Sequence, residues 1–324
     1  MPRPRLAWSG TPSVIAITAA LFLLSWAVSP GSMSAGAIDS LLPYAGILAI
    51  AAVGQTVVVM LRGIDLSLPG MMTVAALVSS QYADTHRGGM LAALLIVAAS
   101  AIVVGAVNGL VISVFSVTPL VATLAMNTVL LGVALAYTGG SPPTAPRSVS
   151  NFALDKTIGI SNTVWLAVAL VAITVFATSS TAWGRRVAAV GSNERAARAA
   201  GVRTALVKVS GYIAGALCYS GAGVLLAGYV STPSTDAGVS YLLPAIAAVV
   251  VGGTALTGGK SHIVGTAVGA LFLSQLTQLV LSLGAPSSTQ YIVQAVVIAA
   301  AVIIQQFAAG HVPSRFRRKR EAHA

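Results

Sequence analysis

The chain has 324 residues, of which 56% are hydrophobic and only 8% charged, and its formal net charge is +11. Soluble domains carry about 25% charged residues. A chain this apolar cannot cover itself with polar groups, so lipid must be its main solvent and a pair of soluble domains is excluded. The cations gather in short clusters at segment ends, and aromatic residues reach only 6%, which argues against a nucleic-acid surface.

A membrane-crossing helix takes about 20 apolar residues. Inside lipid every backbone amide must be bonded within its own segment, so the apolar runs predict helices. They fall at 13–29, 41–61, 68–83, 89–115, 118–138, 162–182, 209–230, 242–257, 263–283 and 289–308. The expected architecture is an all-α, polytopic membrane helix bundle of about ten spans, with 1–324 as one transmembrane domain. The first run, behind Arg3 and Arg5, has the outline of a signal peptide, but more membrane follows at once and it reads as a retained span. The stretches Gly88–Pro146 and Ser261–Ser314 hold no Asp, Glu, Lys or Arg. Each is too long for one helix; Ser116–Pro119 and Gly284–Ser288 supply the breaks. The third and eighth runs are short.

Near the end of the second run stands Arg62-Gly63-Ile64-Asp65-Leu66-Ser67, and near the end of the eighth Gly252-Gly253-Thr254-Ala255-Leu256-Thr257. The two suggest a parallel internal pseudo-repeat. Asp65 has two readings, an intramembrane functional carboxylate or a cap, with Ser67, on the third helix; the structural one is favoured. Gly253–Ser261 mimics a phosphate loop, but its Gly-Lys pair is one residue too far from the first glycine. Gly252, Gly253, Gly258 and Gly259 read instead as close-packing positions. Gln55, Asn108, Asn127, Gln275 and Gln278 are uncharged polar residues within runs, able either to meet a substrate or to bond neighbouring helices. Cys218 forms no internal disulfide, and the four histidines, His86, His262, His311 and His323, lack the company that makes a metal or catalytic site.

Lys and Arg mark the cytoplasmic side. Ten spans put three basic clusters there: the amino end, the segment 184–208 with Arg185, Arg186, Arg195, Arg198, Arg203 and Lys208, and the tail 311–324 with Arg315, Arg317, Arg318, Lys319 and Arg320. Both termini are then cytoplasmic and the loop 139–161 is external. Within 184–208, Glu194–Ala200 consists of strong helix formers, Asn193 is an expected N-cap and Gly201 an expected stop. This predicts a short helix with a small alanine face. It is either a knob that docks into a groove on another protein or a solvated basic loop.

Gly191-Ser192-Asn193-Glu194-Arg195-Ala196-Ala197-Arg198-Ala199-Ala200-Gly201 resembles the coupling segment of the ribose/xylose/arabinose/galactoside class of ATP-binding-cassette permeases. Gly63-Ile64-Asp65-Leu66-Ser67, Asn108-Gly109, Thr118 to Leu124 and Ala245 to Gly259 match the same class in order and spacing over about residues 40–310. The resemblance implies an inner-membrane sugar importer subunit with two permease copies, cytoplasmic ATPase subunits that bind the ATP, and an extracytoplasmic binding protein. It implies no catalysis, cofactor or metal in this chain. It assigns ATPase coupling to Asn193, Glu194, Arg195, Ala196, Ala197, Arg198 and Gly201, and places Gly63, Asp65 and Ser67 in a structural motif. Arg62 departs from it, standing where the class usually has glycine; so do Pro69 and Pro244. A branched-chain amino acid permease and, further off, an ion-coupled carrier are the rival readings. No paired carboxylates or Ser-His couple within the runs suggests an intramembrane enzyme.

Overall fold

The computed structural model describes residues 11–85 and 89–308. Arg3, Arg5, His86, His311, His323 and the basic tail 311–324 lie outside the described residues. All ten apolar runs are helical: α1 Thr11–Val28, α2 Ala35–Met60, α3 Leu68–Thr85, α4 Gly89–Val114, α5 Pro119–Thr138, α7 Asn162–Ser180, α10 Thr204–Val230, α11 Leu242–Val251, α12 Ile263–Ser282 and α13 Ser287–Ala308. Three further α-helices, α6 Arg147–Leu154, α8 Ala182–Ser192 and α9 Glu194–Ala199, two short 3-10 turns at Pro30–Met33 and Val239–Tyr241, and a two-residue-per-strand hairpin, β1 Lys156–Thr157 with β2 Ile160–Ser161, complete the described elements.

Seven of these helices, α1, α2, α4, α5, α7, α10 and α12, are long and apolar enough to cross a bilayer. The chain is a polytopic helical membrane bundle. Helix α11 is only 10 residues long and stops at Val251 instead of continuing to 257. Gly253 takes φ +89°, a left-handed conformation that ends a helix. The break between α4 and α5 forms at Ser116, with φ +55°, and at Pro119, the first residue of α5; proline suits that position because its missing N–H has no helical partner there. Gly284, with φ +73°, ends the turn after α12.

Helix α2 is the axis of the bundle. It is buried from Ala45 to Met60 and packs against α7, α10, α11 and α12. Helices α1, α4, α5 and α7 instead expose large apolar side chains, among them Leu23, Leu95, Val121 and Phe176, as a lipid-facing shell should. Small residues let the inner helices approach. A side chain at Gly105 or Gly109 of α4 would strike the α10 backbone at Ile213 or Val209, 2.5 Å away. Side-chain packing of this kind drives helix association where lipid removes the hydrophobic incentive.

Candidate functional site

Two polar assemblies form at one end of the bundle, where α2 stops. In the first, α2 ends on Arg62, whose φ is +63°. The Gly63 N–H reaches back to the Val58 carbonyl at 3.2 Å and the Arg62 N–H to Val59 at 2.9 Å, the bonding of a left-handed helix cap. The chain then turns inward. Asp65 is 1% exposed, and its Oδ1 accepts from the Ser67 N–H at 2.8 Å and the Ser67 hydroxyl at 2.5 Å. Ser67 Oγ in turn accepts from Asn108 Nδ2 on α4 at 3.0 Å. Helix α5 holds the other side: Leu66 N–H donates to Thr123 Oγ1 at 2.9 Å, and Gly70 N–H to Asn127 Oδ1 at 2.8 Å. The segments around Asp65, Asn108 and Thr123, far apart in sequence, thus tie the start of α3 to both α4 and α5. Asp65 thus bonds Ser67, the residue just before α3, in a local turn, and its second carboxyl oxygen is buried without a partner.

The second assembly is built on α8 and α9. Helix α8 turns Val187 and Val190 inward, and Ala197 of α9 joins them in a cluster with Met60, Leu61 and Val207. The Asn193 side chain accepts from the Ala196 N–H at 3.1 Å, so it is the expected N-cap. Gly201 has φ +82° and the following Val202 N–H closes onto the Ala197 carbonyl at 3.0 Å, so it is the expected stop. The Arg62 guanidinium donates to the carbonyls of Gly191 and Ser192. Gly259 N–H donates to the Met60 carbonyl at 2.9 Å. A Cβ on Gly191 would drive into that same carbonyl, and one on Gly258 would meet Arg62 and the Gly191 carbonyl. The end of α8, the end of α2 and the loop after α11 therefore meet at backbone contact distance.

Glu194 anchors α9 to α10. Its two oxygens take Lys208 Nζ at 2.7 Å and Arg198 at 3.2 Å. Partial burial pushes its carboxyl up, but the Lys208 hydrogen bond and charge, with Thr204 and Arg198, together hold it below the usual carboxylate range. Of the other coupling candidates, Arg195, Ala196 and Arg198 are exposed, as are Ala199 and Ala200, while Ala197 is buried.

The uncharged polar residues bond mainly to protein. Asn108 and Asn127 belong to the first assembly. Gln55, fully buried, accepts from the Tyr219 hydroxyl at 2.8 Å. Gln278 donates to the Ser32 carbonyl at 2.7 Å, and Gln275 contacts the Met33 sulfur at 3.7 Å. Gln55 Nε2 and Gln275 Oε1 stay buried without a partner. Gly252 packs against Gly265 and Thr266 of α12. No cluster of metal-ligating side chains occurs among the described residues. Arg62, Gly191, Thr123 and Lys208 were not singled out for these contacts by sequence; only the left-handed position of Arg62 has a sequence signal, the glycine usual there.

Residues 37–302 match the family model described as branched-chain amino acid transport system / permease component. The chain belongs to this permease family. The permease is accordingly a transport component and not itself an enzyme. It is 33% identical over 297 residues to the ribose import permease protein RbsC of Escherichia coli K12, covering 90% of this chain and 92% of that one. It is 32% identical to the galactofuranose transporter permease protein YtfT of the same organism, over 94% and 92% of the two chains. To the fructose import permease protein FruF of Bifidobacterium longum it is 30% identical, over 93% and 86%. No solved structure matches it.

Proposed function

We propose that the permease is the membrane subunit of an ATP-driven importer that carries a monosaccharide inward. ATP is bound by separate cytoplasmic ATPase subunits, a second permease copy completes the pore, and an extracytoplasmic protein delivers the sugar. Ten spans with both termini cytoplasmic put α8 and α9 on the inner face, where an ATPase can reach them. The names of the relatives, a ribose import permease, a galactofuranose transporter permease and a fructose import permease, favour a sugar over a branched-chain amino acid.

The observation that carries this reading is the attachment of α9. Its inner side is fixed to α2 and α10 through Ala197 and Glu194, and α8, which leads into it, meets the loop after α11 at Gly191, while Ala196 and Ala200 stay exposed. A force applied to the exposed side would reach the buried axis of the bundle. A basic loop that served only to fix topology would need none of these bonds. Of the five polar residues considered for the pathway, Gln55 and Gln275 remain the candidates to meet a sugar hydroxyl, because each keeps an unsatisfied polar atom; a buried amide without a partner is costly, on the order of 1–3 kcal/mol.

Reconstitution tests the proposal. Vesicles holding the permease, its ATPase and its binding protein should accumulate radiolabelled sugar only when ATP is supplied on the ATPase side. Uptake that persists without the ATPase subunit would overturn it, and uptake driven by a proton gradient would replace it with a carrier.

A further inference from the structure

A cleft of about 840 Å³ opens beside α9, between it and the turn joining α4 to α5. Its wall carries four cations, Arg62, Arg195, Arg198 and Lys208, against one carboxylate, Glu194. Glu194 engages Lys208 and Arg198, and Arg62 is spent on two carbonyls. Arg195 is exposed and makes no ion pair among the described residues. Positive charge is therefore in excess. Tyr212, only 1% exposed, and Ser113 also line the cleft, and their hydroxyls are buried without a hydrogen-bond partner.

The flank of the cleft is of the opposite character. Val114, Phe115, Leu120 and Val121, which bracket the α4–α5 turn, are 50–73% exposed. They sit at the ends of two helices that are each long and apolar enough to span the bilayer. A basic cleft with buried hydroxyl donors, opening next to a hydrocarbon-facing surface, has the makings of a headgroup site. Arginine and lysine bind phosphate oxygens through charge-assisted bonds, and a neutral sugar would have no use for the excess positive charge.

We propose that this cleft binds a phosphate-bearing anion, with the headgroup of an acidic phospholipid as its source and the acyl chains lying along α4 and α5. Ala196 and Ala200 do not line the cleft, so a headgroup here and a protein docked on α9 use different faces of one short helix.

The test uses the whole permease, purified and placed in phosphatidylcholine nanodiscs. Phosphatidylglycerol, included at a few mole per cent, should be retained in native mass spectra and raise the melting temperature. Inorganic phosphate added to the phosphatidylcholine sample should not raise it. The double variant Arg195→Gln/Arg198→Gln should lose retention by roughly thirtyfold, from about one kcal/mol per basic side chain, and Tyr212→Phe, which removes only the hydroxyl, should weaken it as well. Arg147→Gln, on α6 and away from the cleft, should retain the lipid as the parent does. A rise with phosphate alone would keep the anion site and make its source a soluble phosphate. No response to either anion, or retention unchanged in both the arginine and the tyrosine variants, would overturn the proposal.

Discussion

At the scale of single residues, Arg62 shows how a side chain compensates for its own backbone. Its φ of +63° is a conformation that costs a non-glycine residue roughly 1 kcal/mol or more, yet its guanidinium ties the end of α2 to the carbonyls of Gly191 and Ser192. The two contributions can be separated. Arg62→Gly loses the guanidinium bonds but relieves the backbone, whereas Arg62→Ala loses the bonds and keeps the strain. Melting of the purified variants should therefore rank the parent first, Arg62→Gly second and Arg62→Ala last, the two variants differing by about 1 kcal/mol; equal melting of all three would refute this account. Glu194 gives a pH signature of known sign. Its folded pKa is depressed, so its ion pairs contribute fully above the unfolded value of about 4.3 and are lost as pH falls through the lower folded value. Acid titration of thermal stability should show a step in the parent as pH falls from the unfolded value through the folded one, and Glu194→Gln should flatten it. A step of unchanged size in Glu194→Gln would assign it to another group.

At the scale of elements, the junction of Gly191, Gly258 and Gly259 is the place where added volume has nowhere to go. Gly191→Ala would push a methyl group into the Met60 carbonyl and the Gly259 N–H. The expected loss is about 1–3 kcal/mol, read as a lower melting temperature and a poorer yield of folded permease. Gly201→Ala provides the contrast: open space surrounds it, but its φ is +82°, so only the backbone cost of roughly 1 kcal/mol should appear. The same comparison shows what was legible in the sequence. Apolar runs and Gly or Pro breaks located ten of the helices, seven of them long enough to span a bilayer, and Asn193 and Gly201 bounded α9, because caps and stops are local. Helices α6 and α8 were missed: their apolar residues are few and become visible only as a buried face, such as Val187 with Val190. The extent of α11 was overestimated since hydropathy continues past the point where Gly253 turns. Helices α2 and α11 do end alike, with left-handed Arg62 and Gly253 and with Gly63 N–H to Val58 and Thr254 N–H to Val249. That likeness is one residue out of step with the pairing suggested by sequence, which sets Arg62 against Gly252. The polar residues could not be sorted by sequence at all. Whether Asn108 meets a substrate or Ser67 depends on a contact across 41 positions, which composition does not encode.

At the scale of the whole molecule, the proposal that α9 receives the motion of an ATPase is tested through the division of its residues into buried and exposed. Ala197 lies inside the cluster with Val190 and Val207, so a bulky residue there reports on packing. Ala196 is exposed on the same helix and Ala200 at its C-cap, so substitutions there leave the bundle intact and alter only what can dock on it. The double variant Ala196→Glu/Ala200→Glu should insert and melt close to the parent, since both side chains are exposed, the capping bonds at these positions are made by backbone N–H groups, and exposed substitutions usually shift stability by under about 0.5 kcal/mol. In reconstituted vesicles it should nevertheless lose at least roughly tenfold in sugar uptake, because interface centres tolerate misplaced charge poorly, at several kcal/mol, while the ATPase continues to hydrolyse ATP. Ala197→Leu should do the reverse at first sight, lowering the melting temperature by an overpacking cost of about 1–3 kcal/mol before it affects uptake per folded molecule. If the exposed pair can be charged without loss of uptake, α9 is not where the motor pushes, and the bonds that tie it to α2 and α10 serve only to hold the inner face together.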